Sequence, residues 1–455
     1  MATAALFRQY RLCSGLVLLS CTKPLPRSAV FSPGSTATPH QALTNHRQFT
    51  TTSFRTRKMP PKKQVVEEKV QLGRPSNNLK IGVVGLPNVG KSTFFNAITK
   101  SAVAAENYPF CTIDPEESRV AVPDERFDWL CEQYEPASKI PAYLTVIDIA
   151  GLVKGASTGA GLGNSFLSHI NAVDGIFHVV RAFNDPDVVH VEGEMDPERD
   201  LDIIHSELRL KDIAMLTKYV DANQRNIERM GSGGSVEDKK KKDEFATIVK
   251  VREWVEGGND VRKGTWTNKE IDVINGQALL TAKPVTYLVN LSEKDYIRKK
   301  NKFLPVVKKW IDEHNPGDKL IPFSGDFESK LVDMDDAERA AYVAETKTAS
   351  AFPKIILTGY DSLNLMHFFT AGHGTEVRAW TCRKNAKMTE AARSIHNEIA
   401  DSLIQVDVMK FDELKAAGNE SELKAQGKLY TRGKEALIED GDIVYFRSGL
   451  GRAKK

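Results

Sequence analysis

Nine consecutive residues, Gly85-Leu86-Pro87-Asn88-Val89-Gly90-Lys91-Ser92-Thr93, carry the clearest chemistry in this 455-residue chain. Two glycines with four residues between them, followed by Lys-Ser, make a loop whose backbone N–H groups can curl round phosphate oxygens. In such a loop Lys91 reaches the β- and γ-phosphates, and the Ser92 hydroxyl belongs to a Mg²⁺ shell. Asn88, Val89, Gly90 and Thr93 complete the expected phosphate contacts. Asn88 is also expected to help hold a monovalent cation such as K⁺ against the phosphates. A glycine-rich turn beside a surface lysine would carry the same letters, so the flanks decide. The apolar run Lys80–Val84 reads as a buried parallel strand, and Phe94–Thr99 opens a helix. Strand, glycine loop and helix together are the context of a phosphate-binding loop.

Further candidates lie downstream at matching offsets. Thr112, in the proline-bounded loop Asn107–Pro115, is placed to close over the γ-phosphate and Mg²⁺. A second strand-like run, Tyr143–Ile147, delivers Asp148-Ile149-Ala150-Gly151. An Asp at such a strand tip can serve the Mg²⁺ shell, and the Gly151 N–H can bond the γ-phosphate. Gly155, Gly159, Gly161 and Gly163 follow within nine residues, a density that suits a mobile γ-phosphate sensor. Leu152 fills the slot where many switch GTPases carry a water-orienting Gln. His190, in a loop leaving the strand Asp174–Arg181 on the ligand side, is the internal candidate to position or deprotonate water. His178, inside that strand, reads as a packed histidine.

The base-reading position departs from the guanine pattern. After the strand Val285–Val289 comes Asn290-Leu291-Ser292-Glu293, where GTPases carry N-K-x-D. An Asp there accepts from guanine N1–H and the C2 amino group, and adenine offers neither donor. Glu293 carries its carboxylate one methylene further out, and Leu291 offers apolar contact that does not distinguish purines. Asn290 can donate to N7 and accept from the adenine amino group. The last strand, Leu320–Phe323, ends at Ser324-Gly325 beside the same expected base site. ATP is therefore expected to bind better than GTP.

The set G-L-P-N-V-G-K-S-T, F-C-T-I-D-P, D-I-A-G-L-V-K-G-A, N-L-S-E-K-D-Y and I-P-F-S-G resembles the Obg-like ATPase, or YchF, subfamily of translation-factor-related GTPases over about residues 59–450. The resemblance implies ATP hydrolysis, a helical insertion, a C-terminal TGS domain of ubiquitin-like fold, and association with ribosomes or translation. It also implies a mainly cytoplasmic location.

These groups need elements to hold them. The expected architecture is a doubly wound α/β nucleotide domain at residues 78–199 and 283–365, interrupted by a helical coiled-coil insertion at 200–282. Leu201, Ile204 and Leu208 recur at helical spacing, Gly231–Gly234 breaks the pattern, and Lys239–Lys242 opens a second helix. Residues 366–449 read as a small α+β docking module: a strand at Glu376–Thr381, a helix from Thr389 to Ser402, and a strand at Gly441–Phe446.

Composition sets the outer bounds. The chain is 41% apolar and 27% charged, and its five cysteines form no zinc or C-x-x-C spacing. The net charge of +3 conceals an asymmetry, because residues 1–58 hold eight Lys/Arg and no acid. From Met59 on, 55 basic face 60 acidic residues, so bulk attraction to nucleic acid is not the body's signature. Residues 1–58 read as a mitochondrial presequence or as an extension ahead of a start at Met59. Gly15–Leu19 is too short to span a membrane, so no membrane association is expected. A monomeric, Mg²⁺-dependent ATPase is the leading reading. An ATP-gated binding protein with incidental hydrolysis, a GTP-preferring relative and a small-molecule kinase are the rivals.

Overall fold

The computed structural model describes residues 72–74, 76–105, 117–149, 169–185, 193–230 and 235–449. In chain order its strands are β1 (Lys80–Val84), β2 (Glu117–Ala121), β3 (Ser138–Ile140), β4 (Tyr143–Asp148), β5 (Gly175–Arg181), β6 (Val285–Asn290), β7 (Lys319–Phe323), β8 (Leu365–Ala371), β9 (Glu376–Arg383), β10 (Leu403–Met409), β11 (Tyr430–Arg432) and β12 (Ile443–Ser448).

Strands β5 and β6 are buried at every position, which is why they read as unbroken apolar runs rather than alternating ones. They lie inside a sheet of order β2-β4-β1-β5-β6-β7, parallel throughout except for the antiparallel edge strand β2. The chain winds outward in both directions from β1, so a crevice opens where β1 ends, between β4 and β5. The loop Gly85–Lys91 leaves β1 at that point. The helix Lys91–Ala105 packs its Phe94 ring edge-on against Phe177, Phe323 and Phe352, at 6.2, 5.4 and 5.8 Å. That aromatic cluster, worth about 0.5–1.5 kcal/mol per pair beyond its area, fixes the helix start under the loop.

The insertion is a hairpin of two helices, Pro197–Arg229 and Val236–Glu256. Their cross-links run in inverse register: Lys242 Nζ donates to Met230 O, Tyr219 OH to Glu244 Oε1 and Arg209 Nη1 to Gly258 O. Asp196 caps the first helix and a Ser235–Asp238 capping box starts the second, as the short polar residues before each apolar pattern require. The base of the hairpin is held by Asp212, which accepts from Leu280 N, Thr281 N and Thr281 Oγ1 at 2.8, 2.8 and 2.7 Å.

The second sheet has the order β11-β10-β12-β8-β9-β3. Five of its strands are C-terminal, and the sixth comes from the nucleotide-binding half: β3 adds in parallel to β9, pairing Ser138, Lys139 and Ile140 with Glu376, Val377 and Arg378. A three-residue strand with no alternation gave no signal in the sequence. The helix Glu125–Tyr134, just before it, seals the same junction. Trp129 packs edge-on against Phe411 at 5.4 Å, and Tyr134 OH donates to Glu420 Oε1 at 2.8 Å. The helix expected over Thr389–Ser402 is instead two helices, Met388–Ile395 and Asn397–Asp401. His396 is extended (φ −162°, ψ 141°), and its Nδ1 accepts from Glu398 N, which caps the second helix.

One buried carboxyl makes the fold pH-dependent. Glu328 accepts from Ser350 Oγ and Ala351 N, both at 2.6 Å. Burial pushes it up to about 7, against the pull of those two bonds. An acid whose pKa is raised by folding contributes stability fully below its unfolded value, and that contribution is lost as pH rises through about 7. Over that window the loss amounts to about 3 kcal/mol. Glu328→Gln keeps the shape and cannot ionise, so it should flatten the stability profile and exceed wild type at pH 8. Denaturant unfolding at pH 5 and pH 8 measures this, and an unchanged slope contradicts it.

Candidate functional site

The loop is anchored by its apolar members. Leu86 and Val89 point into the core, while Asn88 stands exposed at the tip with φ 61°. Gly90 has φ 96°, a region that L side chains avoid, and a Cβ built there would lie 2.2 Å from Asn290 Nδ2. The next residue, Lys91, begins the helix, whose first N–H groups face the loop.

Lys91 is 7% exposed, and its Nζ donates to Leu86 O at 2.7 Å. Burial lowers its pKa to about 8, with the Asp148 carboxylate opposing that shift. Ser92 and Thr93 are exposed on the first turn of the helix. Ser92 Oγ donates to Asp148 Oδ2 at 3.2 Å, so the hydroxyl and carboxylate assigned to one Mg²⁺ shell are neighbours. Strand pairing enforces this, because Asp148 closes β4 beside Val83 of β1. A hydroxyl and a carboxylate are hard oxygen donors that suit Mg²⁺, which takes few protein ligands and completes its shell with phosphate and water.

Asn290, at the end of β6 and 4% exposed, joins this loop to the next one. Its Nδ2 donates to Val89 O at 3.1 Å, and its Oδ1 accepts from Gly325 N at 3.0 Å. From the sequence, both ends of this amide are expected to meet adenine. The structure gives each a protein partner, leaving one N–H and one lone pair for a base. Leu291 also differs from expectation. It is 2% exposed within the core, with its N–H bonded to Phe323 O. Ser324 is buried and caps the helix Gly325–Asp333, its Oγ accepting from Phe327 N.

Glu293 opens the helix Glu293–Arg298. Its Oε2 accepts from Lys330 Nζ at 2.5 Å and its Oε1 from Tyr342 OH at 2.6 Å. Burial pushes this carboxyl up, but the two bonds outweigh burial and hold it below the usual glutamate range. Neither partner had a local signal in the sequence, since they lie on helices 37 and 49 residues further on.

His178 is buried, as expected. Burial, then the neighbouring His205, hold it well below the usual histidine range, so it stays neutral and packed. Thr112, Gly151, Leu152 and His190 lie outside the described residues. The arrangement brings together a lysine for phosphate, a hydroxyl–carboxylate pair for a hard cation, and two loops braced by one amide.

Comparison with known proteins agrees with this geometry. Residues 80–219 match a family described as "50S ribosome-binding GTPase", and residues 365–449 match the YchF GTPase C-terminal family, described as a protein of unknown function. The chain is 55% identical to Obg-like ATPase 1 of Gallus gallus, over 83% of this chain and 94% of that one. It is 53% identical to the protein of the same name from Homo sapiens, over 86% and 98%. The solved structure of the Schizosaccharomyces pombe YchF GTPase superposes with a TM-score of 0.77 at 52% identity, covering 83% of this chain and all of that one.

Proposed function

The chain belongs to the Obg-like ATPase (YchF) family of P-loop nucleotide hydrolases, and from that premise we propose that it hydrolyses the β–γ bond of ATP in preference to that of GTP. The observation that carries hydrolysis is the convergence of Lys91, Ser92 and Asp148 where β1 ends. Lys91 holds the β- and γ-phosphates as a buried charge, and the loop N–H groups orient them. Ser92 and Asp148 would hold Mg²⁺, which neutralises charge developing on the transferred phosphoryl group. Thr112 and the Gly151 N–H close on the γ-phosphate, and His190 positions the attacking water. Asn88 helps hold a K⁺ ion. Relatives of this chain carry both "ATPase" and "GTPase" in their names, so the base preference rests on the N-L-S-E turn.

Hydrolysis switches the protein's grip on a ribosomal partner; the family matched by residues 80–219 supports that direction. The C-terminal unit is read as the ubiquitin-like TGS domain, supported by its mixed five-strand order β9-β8-β12-β10-β11. The protein acts as a cytoplasmic monomer, with a mitochondrial form when translation starts at Met1. Among the described residues no helix is long and apolar enough to cross a membrane.

The test is phosphate release from ATP and GTP with Mg²⁺ and no acceptor present. Faster release from ATP supports the reading. Binding without release favours the ATP-gated alternative, to which Leu152 in the Gln slot lends weight.

A further inference from the structure

We propose that Lys330 and Tyr342 set the base preference of this chain by holding the Glu293 carboxylate away from the purine. The inference rests on the reading that the nucleotide occupies the Gly85–Thr93 loop with its base near the 290–293 turn. In a guanine reader, the carboxylate three residues after the Asn presents both oxygens to N1–H and the C2 amino group. Glu293 stands in that slot, yet each of its oxygens already accepts a bond from elsewhere in the fold: Lys330 Nζ at 2.5 Å and Tyr342 OH at 2.6 Å.

A carboxylate has about four lone-pair sites, so two bonds do not exhaust it. Orientation is what matters. The donors come from the helices Gly325–Asp333 and Asp336–Thr346, and both oxygens are turned toward them. Rotating Glu293 toward a base would break both bonds together; the Lys330 pair, half-exposed at the lysine, contributes modestly, and the Tyr342 hydroxyl–carboxylate bond adds to it. Tyr342 is itself held, with its ring tilted 34° against Phe327 at 5.6 Å, and Phe327 is fully buried.

The clamp is also continuous with the nucleotide site. Lys330 lies on the helix that begins at Gly325, whose N–H is bonded to Asn290. Lys330, Glu293 and Asn290 therefore connect the two loops expected to flank the base. Side-chain length acquires a second meaning here. The extra methylene of Glu293 does more than misplace an acceptor: it lets the carboxylate reach Lys330 and Tyr342. On this account guanine is refused because the acceptor is held elsewhere, and releasing it restores guanine binding without shortening the side chain.

The experiment measures equilibrium affinity of the full chain for ATP, GTP and inosine triphosphate, which keeps N1–H but lacks the C2 amino group. The proteins are wild type, Lys330→Met with Tyr342→Phe, the same pair with Glu293→Gln added, and Lys330→Arg. Wild type should prefer ATP. The double variant should bind GTP about tenfold tighter, as expected for a recovered bond to a charged acceptor. Inosine triphosphate should gain less, Glu293→Gln should erase the gain, and Lys330→Arg should keep the wild-type ratio. A purely structural role for Lys330 and Tyr342 moves ATP and GTP affinities together, and that result overturns the clamp. If wild type prefers ATP and the double variant keeps the same ratio, the clamp falls while the ATP reading stands. A wild type that prefers GTP overturns the ATP reading and the clamp with it.

Discussion

Lys91→Ala is expected to lose triphosphate affinity by a few hundredfold to a few thousandfold while retaining its fold. The Lys91 ammonium is buried at the head of the phosphate loop, so its attraction to phosphate is poorly screened by solvent. Removing one partner of a buried charge pair costs about 3–5 kcal/mol, which converts to that range of affinity. The fold should survive, because Lys91 bonds within the protein only to the Leu86 carbonyl among its described hydrogen bonds. Lys91→Arg should not restore binding, since a planar fork cannot replace a compact charge in a loop of this size. The pH dependence has a definite sign. The charged form binds phosphate, and burial brings the pKa down to about 8. Affinity should be flat below that value and fall above it, approaching tenfold per pH unit. Isothermal titration of wild type and variant at pH 7 and pH 9 measures both effects.

Gly90→Ala should lower ATP affinity about a hundredfold, through geometry alone. A β-carbon at φ 96° is strained, and it would sit 2.2 Å from Asn290 Nδ2. Asn290 could yield only by giving up its bonds to Val89 O and Gly325 N. The strain costs about 1–2 kcal/mol, and buried polar groups left unpaired cost about 1–3 kcal/mol more. The loop would relax into a shape that no longer encircles phosphate. Asn290→Ala removes the obstacle and the brace together, so the two changes should combine to less than the sum of their separate effects. Independent, additive losses in the double variant would contradict the brace. Circular dichroism separates loss of binding from loss of fold.

The parts of this site that were legible in the sequence are those set by contiguous residues. Gly85–Thr93 spells out its own loop, and Asp148 lies at the end of an apolar run short enough to be a strand. The parallel sheet and the two-helix insertion follow from apolar periodicity in the same way. Contacts between distant segments left no comparable trace. Asn290 reaches Val89 across 201 residues, so its role as a brace could not be read from the N-L-S-E turn. Leu291 reads as an apolar base contact only while its strand is considered alone; with its N–H bonded to Phe323 O of β7, it belongs to the core. Lys330 and Tyr342 look like ordinary helix-surface residues until the fold places them on Glu293. The pairing of β3 with β9 was hidden for a further reason: a three-residue edge strand takes its conformation from its partner, not from its own pattern. His396 broke a helix that periodicity alone would have continued.

The most direct test of the account is a paired calorimetric titration of the full chain with ATP and with GTP at equal, saturating Mg²⁺, with Lys91→Ala alongside. ATP should bind more tightly than GTP, by a margin smaller than the roughly ten-thousandfold discrimination a site with a dedicated hydrogen-bonding reader can reach. Lys91→Ala should bind neither nucleotide at comparable concentrations. Tighter binding of GTP by wild type, or undiminished binding of ATP by Lys91→Ala, would contradict it.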